Sequence, residues 1–169
     1  MKGFREVDLT AMWDALRWGF GPLVRVNRKI DPLEAPRTHP IPGLYMITWV
    51  GVDDWPSIPK FIGVEACDQI PDPRLLIEHL EPPVLLTIGR TTSVYDRIRQ
   101  HFSTNDNCNR VFKRLQRWLP SRTYDDLWTL ATANIAVEWA YVPNWIDRAQ
   151  LEHYACARFA PLFDLEAEH

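Results

Sequence analysis

Residues 84–102 read VLLTIGRTTSVYDRIRQHF, and this stretch combines the pattern of a strand with that of a helix. The apolar run Val84–Ile88 is typical of a buried strand, and Gly89 ends it. From Thr91 to Phe102, apolar side chains recur four positions apart, which is the spacing of one helix face. The stretch therefore predicts a buried strand followed by an amphipathic helix, whose apolar face carries Val94, Ile98 and Phe102.

Further elements flank this stretch on both sides. Residues 43–50, GLYMITWV, have strand composition, and residues 134–142, NIAVEWAYV, alternate as a strand does. Helices are predicted over Asn109–Leu119, Thr123–Ala131 and Trp145–Phe159, with Pro161 after the last one. This order predicts a small sheet with helices packed over it, which is an α+β domain.

The remaining segments are predicted to be less regular. Residues 1–42 form an extension with a short helix capped by Thr10 and a loop from residue 22 onward. Residues 51–83 contain six of the fourteen prolines and are interpreted as an insertion, with one short strand at Phe61–Val64. The core thus spans residues 43–164, and residues 165–169 form an acidic tail.

Composition excludes several classes of protein. The chain has 169 residues, 46% of them hydrophobic, which suits one domain with a buried core. It contains neither a run of about 18 apolar residues nor an apolar stretch after the first basic residues, so neither a membrane span nor a secretory signal is expected. Three widely spaced cysteines, Cys67, Cys108 and Cys156, predict neither a disulfide framework nor a zinc ribbon, and favour the cytoplasm.

Charge is distributed unevenly along the chain. The net charge is −3, which argues against a generic polyanion binder. Residues 90–122 carry eight basic and two acidic side chains, a local charge of +6, whereas residues 51–83 carry two basic and seven acidic ones, a local charge of −5. A basic segment in a mildly acidic chain indicates a focused anionic partner.

The helix predicted over Asn109–Leu119 supplies half of these basic residues. They recur at i, i+3, i+4 and i+7, and so share one helix face. Such a face suits a phosphate backbone, with an affinity that falls as salt rises, but an ordinary solvated helix face has the same pattern. The candidate phosphate contacts are Arg110, Lys113, Arg114 and Arg117.

Arg97 and His101 are four residues apart in the helix after Gly89, so they project from one face. An arginine can bind a phosphate in bidentate fashion, and a histidine can transfer a proton near neutral pH. The competing interpretation is a solvated face without function. On spacing alone, the pair is a candidate site for phosphate chemistry.

Glu152 lies on a helix face whose other residues are mostly small or apolar, Ala149, Ala155 and Cys156. A carboxylate on such a face points toward the protein or into a cleft, where it needs a partner. That partner is either a metal ion or Arg148 one turn earlier, and the local sequence favours the ion pair.

Tyr45, in the first core strand, has by itself the pattern of an ordinary core tyrosine.

In order and spacing, these residues resemble the GIY-YIG nuclease family, and its restriction-enzyme-like members in particular. Gly43-Leu44-Tyr45 is similar to the first half of the family signature, and Thr87-Ile88-Gly89 to the second half. Arg90 stands where the family commonly has a basic residue. Arg97 follows eight residues after Gly89, and His101 follows one turn later.

The late part of the chain continues the resemblance. Glu152 resembles the family's metal-binding glutamate, which lies on a helix after the third strand. Pro161-Leu162-Phe163-Asp164 resembles the end of the family core, with Asp164 in place of the usual asparagine.

The resemblance implies a small, mainly antiparallel three-stranded sheet flanked by helices, and an endonuclease that hydrolyses phosphodiester bonds in DNA. It implies Tyr45 as general base, Arg97 as the residue that stabilises the phosphate, and Glu152 as ligand of one Mg²⁺ or Mn²⁺ ion. Arg90 joins the candidate phosphate contacts, and His101 becomes a group that can lower the Tyr45 pKa. RNA as substrate and a homodimer are left open.

Three departures from the family pattern matter. Thr87 stands in place of the second signature tyrosine, which keeps open a catalytically silent nucleic-acid-binding or scaffolding domain. The two signature halves are separated by the insertion of residues 51–83. Phe61-Ile62-Gly63 is a rival second half, rejected because Pro71 falls where the helical arginine should be.

A protein-interaction module, with the eight tryptophans in core and interface, is a third interpretation.

Overall fold

The computed structural model describes residues 7–26, 29–32, 40–53, 81–104, 110–119 and 121–162. Within these ranges the chain forms five strands and five helices. The strands are β1 (Trp18–Val26), β2 (Lys29–Pro32), β3 (Gly43–Trp49), β4 (Val84–Thr91) and β5 (Ile135–Tyr141). The helices are α1 (Leu9–Asp14), α2 (Val94–His101), α3 (Arg110–Trp118), α4 (Tyr124–Asn134) and α5 (Trp145–Phe159).

The five strands form one antiparallel sheet in the order β2-β1-β5-β3-β4. The predicted α+β class is confirmed, but the sheet has five strands where three were expected. In one row across the sheet, Tyr45 of β3 lies between Gly89 of β4 and Trp139 of β5. Residues in one row point to the same face, so this row brings together three distant segments of the chain.

The two additional strands come from the N-terminal part of the chain, where residues 22–42 were predicted to form a loop. That prediction is wrong for residues 22–26 and 29–32, which are strand. β1 pairs with β5 from Trp18 to Pro22 and with β2 from Leu23 onward. Pro22 therefore stands where the strand changes partner, a position that tolerates its missing N–H.

Gly19 shows why this strand was not recognised from the sequence. The residue lies within β1, opposite Trp139. A Cβ at this position would lie 2.5 Å from ring atoms Cε2 and Nε1 of Trp139. Glycine here thus makes room for an indole on the neighbouring strand, a requirement that only the paired strands reveal.

Most other elements match their predictions. β3, β5 and α5 agree with the expected ranges to within a residue or two, whereas β4 continues two residues beyond Gly89 and α2 starts correspondingly later, after Ser93. The cap of α1 is Asp8, whose carboxylate accepts from the N–H of Ala11 at 3.0 Å, and not Thr10. The strand predicted at Phe61–Val64 lies outside the described residues.

Apolar side chains cover both faces of the sheet. On one face, Tyr45, Ile47 and Trp49 pack against α2, α3 and α4 through a large cluster that includes Ile98 and Phe112. On the other face, a smaller cluster joins the sheet to α1 and α5; it contains Trp13, Leu44, Ile88 and Leu151. This is a three-layer arrangement with the sheet in the middle. Among the described helices, none is long and apolar enough to cross a membrane.

Thr123 caps α4, as the sequence predicts. Its hydroxyl accepts from the N–H of Asp126 at 3.2 Å, and the carboxylate of Asp126 accepts from the N–H of Thr123 at 3.1 Å. The hydrogen bond from the Thr123 side chain also lowers the pKa of Asp126. We expect Thr123→Ala to reduce the free energy of unfolding by about 1 kcal/mol, as measured by urea denaturation. Thr129→Ala, within the same helix, is the control, and an equal effect of the two substitutions would contradict a specific capping role.

Glu138 occupies the central strand β5, between Phe20 of β1 and Met46 of β3. Partial burial raises the pKa of its carboxyl group. A carboxyl group whose pKa is raised by folding stabilises the fold when protonated, and that contribution is lost as the pH rises through the folded-state pKa. We therefore expect Glu138→Gln to increase the free energy of unfolding at neutral pH, and the gain to disappear at pH values below the ordinary range of a glutamate. A gain independent of pH in urea titrations would refute this.

Candidate active site

Two predicted site residues, 56 positions apart, meet inside the protein. The hydroxyl of Tyr45, from β3, lies 2.8 Å from Nε2 of His101, the last residue of α2. Tyr45 is 3% exposed and His101 is fully buried. A phenol hydrogen-bonded to an imidazole is a pair that can exchange a proton, because Nε2 accepts from the hydroxyl in the tautomer that carries its proton on Nδ1. The sequence predicted both residues, but not that the contact would be buried.

Gly89 lies beside the hydroxyl of this pair. A Cβ at this position would lie 2.6 Å from Cζ of Tyr45 and closer still to its hydroxyl oxygen. Glycine is therefore required here so that β4 can pass close to the phenol. Gly89 thus leaves the space that the Tyr45 hydroxyl occupies.

An open groove of about 480 Å³ lies where β4 meets α2. Arg97, half-buried on α2, donates from Nη1 to Oε1 of Gln100 at 3.1 Å. Arg90, at the end of β4, reaches the same groove. Both arginines thus line one open surface. The complete lining is Arg90, Thr91, Thr92, Ser93, Asp96, Arg97 and Gln100.

Two residues that line the groove are direct neighbours in sequence of residues at the Tyr45–His101 pair. Arg90 directly follows Gly89, which faces Tyr45, and Gln100 directly precedes His101. The expected helix face is thus divided, since Arg97 lines the groove and His101 turns inward. The lining of the groove thus includes direct chain neighbours of Gly89 and of His101.

Glu152, on α5, is bound by Arg90 and not by Arg148. One carboxylate oxygen accepts from the Arg90 backbone N–H at 3.1 Å, and the other lies 3.2 Å from Arg90 Nε. Arg148 instead donates from Nη1 to the carbonyls of Val142 and Pro143, at 2.8 and 2.9 Å. The ion pair with Arg148 that the local sequence favoured is therefore wrong. The buried guanidinium of Arg148 is used to fix the connection between β5 and α5.

Glu152 can serve a metal ion only as a single carboxylate. In the part of the chain that the structure describes, no group of three or more His, Cys, Asp and Glu side chains is placed to hold one. Mg²⁺ commonly keeps several waters and takes one or two carboxylates together with substrate phosphates. The donor chemistry of Glu152 therefore fits Mg²⁺ or Mn²⁺, once the Arg90 guanidinium yields its place on the carboxylate.

Thr87 stands in β4 two residues before Gly89, opposite Ile47 of β3. It is 3% exposed. A threonine here cannot supply the phenol that the family has at this point of its signature. Thr87, which the resemblance places at the second signature position, is therefore part of the packed sheet.

The basic residues of α3 lie apart from this groove. Lys113 and Arg114 are half-buried and Arg117 is exposed, while the helix buries Val111, Phe112 and Leu115. The predicted amphipathic pattern is confirmed, yet none of these three basic residues lines the groove as far as the chain is described. The Arg110 side chain and Asp164 lie outside the described residues.

Neither Gln100 nor Tyr141 was among the predicted site residues. Gln100 orients Arg97, and its position three residues further along the helix was a usable signal. Tyr141 is 61% exposed and belongs to the row Tyr141–Gly43–Thr91, so its side chain projects from the same sheet face as Tyr45. The alternating pattern of β5 predicted which sheet face Tyr141 points to, but no local sequence feature indicated that its side chain is exposed.

No protein-family profile matches this chain, and comparison with curated proteins and with solved structures also gave no match.

Proposed function

We propose that this protein is a metal-dependent endonuclease that hydrolyses phosphodiester bonds in DNA. The observation that carries the proposal is the 2.8 Å contact between the Tyr45 hydroxyl and His101 Nε2, taken together with the groove lined by Arg90 and Arg97. The four residues come from β3, β4 and α2, and the proposal assigns them to one common site.

In the proposed reaction, Tyr45 is the general base. Its hydroxyl proton passes to Nε2 of His101, and the resulting phenolate takes a proton from the attacking water. The imidazolium formed beside the phenolate stabilises it by charge. Because Tyr45 is only 3% exposed, the mechanism requires that substrate binding open a path for water to its hydroxyl.

The arginines supply the electrostatic part of the mechanism. Arg97 lies in the groove, where its guanidinium can stabilise the negative charge that builds up on the phosphate oxygens. Arg90 is a second contact to the phosphate backbone, and α3 can extend the basic surface through Lys113, Arg114 and Arg117. A divalent ion held by Glu152 would stabilise the charge on the leaving oxygen.

The test is cleavage of supercoiled plasmid in Mg²⁺ or Mn²⁺ against EDTA, with wild type and Arg97→Ala compared. We expect metal-dependent nicking, and a rate reduced roughly 10²–10³-fold in Arg97→Ala, the usual cost of removing one group that stabilises charge in the transition state. Arg122→Ala is the matched control, because Arg122 is exposed and does not line the groove.

The same assay defines the substrate and the assembly. A matched RNA duplex tests whether the activity is restricted to DNA. Direct appearance of linear plasmid would indicate paired active sites, as in a homodimer with one site per strand, whereas accumulation of nicked circles would indicate one site acting alone. Cleavage at equal rates by wild type and Arg97→Ala would refute the assignment of this groove.

A second candidate function is nucleic-acid binding without cleavage. Two observations favour it, the buried Thr87 in the place of a signature tyrosine and the near-complete burial of Tyr45. A silent binder of this kind would cut nothing in either metal, but would bind duplex DNA with an affinity that falls as salt rises. The plasmid assay and a salt titration of binding therefore separate the two functions.

A further inference from the structure

The two side chains that the proposed function uses for metal and phosphate are bound to each other. Arg90 engages both carboxylate oxygens of Glu152, one through its backbone N–H at 3.1 Å and the other through Nε at 3.2 Å. The backbone contact is fixed by β4, whereas the Nε contact depends on the conformation of a long side chain. The guanidinium thus already occupies one oxygen of the carboxylate that the proposed function assigns to the metal ion.

Of the two side chains in this ion pair, Arg90 is the more exposed and so has more room to change its conformation. The Glu152 side chain is 23% exposed and that of Arg90 is 46% exposed. Arg90 also lines the groove with Arg97, so its guanidinium has carboxylate on one side and the proposed phosphate site on the other. A partly solvated ion pair is weak, and a phosphate offers a guanidinium a bidentate partner of equal or greater strength.

We propose that Arg90 controls access of the divalent cation to Glu152. In the free protein its guanidinium neutralises the carboxylate and excludes the cation. When a DNA phosphate enters the groove, Arg90 turns toward it and Glu152 becomes available. Cation and DNA then bind with positive coupling, and each raises the affinity of the other by the same factor. This inference rests on the proposed function, because it takes Glu152 as the metal ligand and a phosphate as the ligand of the groove.

The geometry provides well-matched variants. Arg90→Ala removes the guanidinium but keeps the backbone N–H that orients Glu152. Arg97→Ala removes a comparable charge from the same groove, at a residue whose guanidinium donates to Gln100. Glu152→Gln removes the carboxylate charge with little change in shape. Circular dichroism verifies that each variant is folded.

Mn²⁺ binding is measured by electron paramagnetic resonance of the free ion, which does not depend on activity. Without DNA, we expect weak binding to wild type and to Arg97→Ala, binding roughly 5- to 150-fold tighter to Arg90→Ala, in the usual range of coupling between sites, and none to Glu152→Gln. A duplex with phosphorothioate linkages should raise the Mn²⁺ affinity of wild type, after correction for Mn²⁺ bound by the duplex alone, but not that of Arg90→Ala.

The outcomes separate this inference from the proposed function. Equal Mn²⁺ affinity of wild type and Arg90→Ala without DNA overturns the inference, while metal-dependent cleavage of plasmid would still support the nuclease. An equal gain in Arg97→Ala and Arg90→Ala also overturns it, because the effect would then be general electrostatics. If Glu152→Gln binds Mn²⁺ as well as wild type does, Glu152 is not the ligand, and both the inference and the metal site of the proposed function fail.

Discussion

Tyr45→Phe is expected to lower the rate of phosphodiester cleavage by roughly 10²–10⁴-fold, the usual contribution of a general base. The substitution removes only the hydroxyl that lies 2.8 Å from Nε2 of His101. It keeps the aromatic ring, which packs against the ring of His101 at a centroid distance of 5.2 Å. The expected loss is therefore in the chemical step, and DNA affinity measured without metal should be nearly unchanged.

Stability must be measured alongside the rate, because the lost hydroxyl leaves the buried His101 without one hydrogen bond. Such a loss costs about 1–3 kcal/mol, which urea denaturation can detect while the protein remains folded. Tyr154→Phe is the matched control, since the Tyr154 hydroxyl, on α5, contacts Thr10 away from the groove. If Tyr45→Phe cleaves at the wild-type rate, another group is the base and the proposed mechanism is wrong.

Gly89→Ala is the second substitution with a large expected effect. Its methyl group would lie 2.6 Å from Cζ and 2.9 Å from Cε1 of Tyr45, and closer still to the hydroxyl oxygen. Because Tyr45 is buried between β4 and β5, its ring has little room to withdraw. We expect a loss of about 1–3 kcal/mol in the free energy of unfolding, which is typical of overpacking in a core.

The same methyl group should push the phenol away from His101, so Gly89→Ala should also reduce cleavage at least as much as Tyr45→Phe does. The double variant provides the decisive comparison. If both substitutions act on one hydroxyl, their effects on the rate will be far from additive. Fully additive losses would show that Gly89 acts elsewhere, for example through the path of β4 toward Arg90.

The sequence predicted the local structure of residues 84–159 well, because those signals are local. Apolar residues four apart at Val94, Ile98 and Phe102 defined α2, and all three are buried in the structure. Thr123 marked the start of α4 for the same reason, since a cap interacts only with the next turn of its own helix. The candidate residues Tyr45, Arg97 and His101 were also found from order and spacing.

The sequence could not show the edge of the sheet. β1 contains Gly19, Gly21 and Pro22, which are loop residues by composition. They form a strand because β5 offers a free edge, and because Gly19 leaves room for the indole of Trp139. Pairing between segments more than a hundred residues apart depends on packing that no local pattern contains.

The sequence by itself determined the α+β class, the helices and strands after residue 43, and the set of residues from which a site could be built. Tertiary structure decided how those residues are used. Glu152 forms an ion pair with Arg90 because β4 and α5 pack together. Arg148 instead donates hydrogen bonds to two carbonyl groups just before α5. Tertiary structure also buried Tyr45 and His101 against each other. The physical reason is the same in each case: the partner of a charged or polar side chain is set by which elements pack side by side, and spacing along the chain does not specify that.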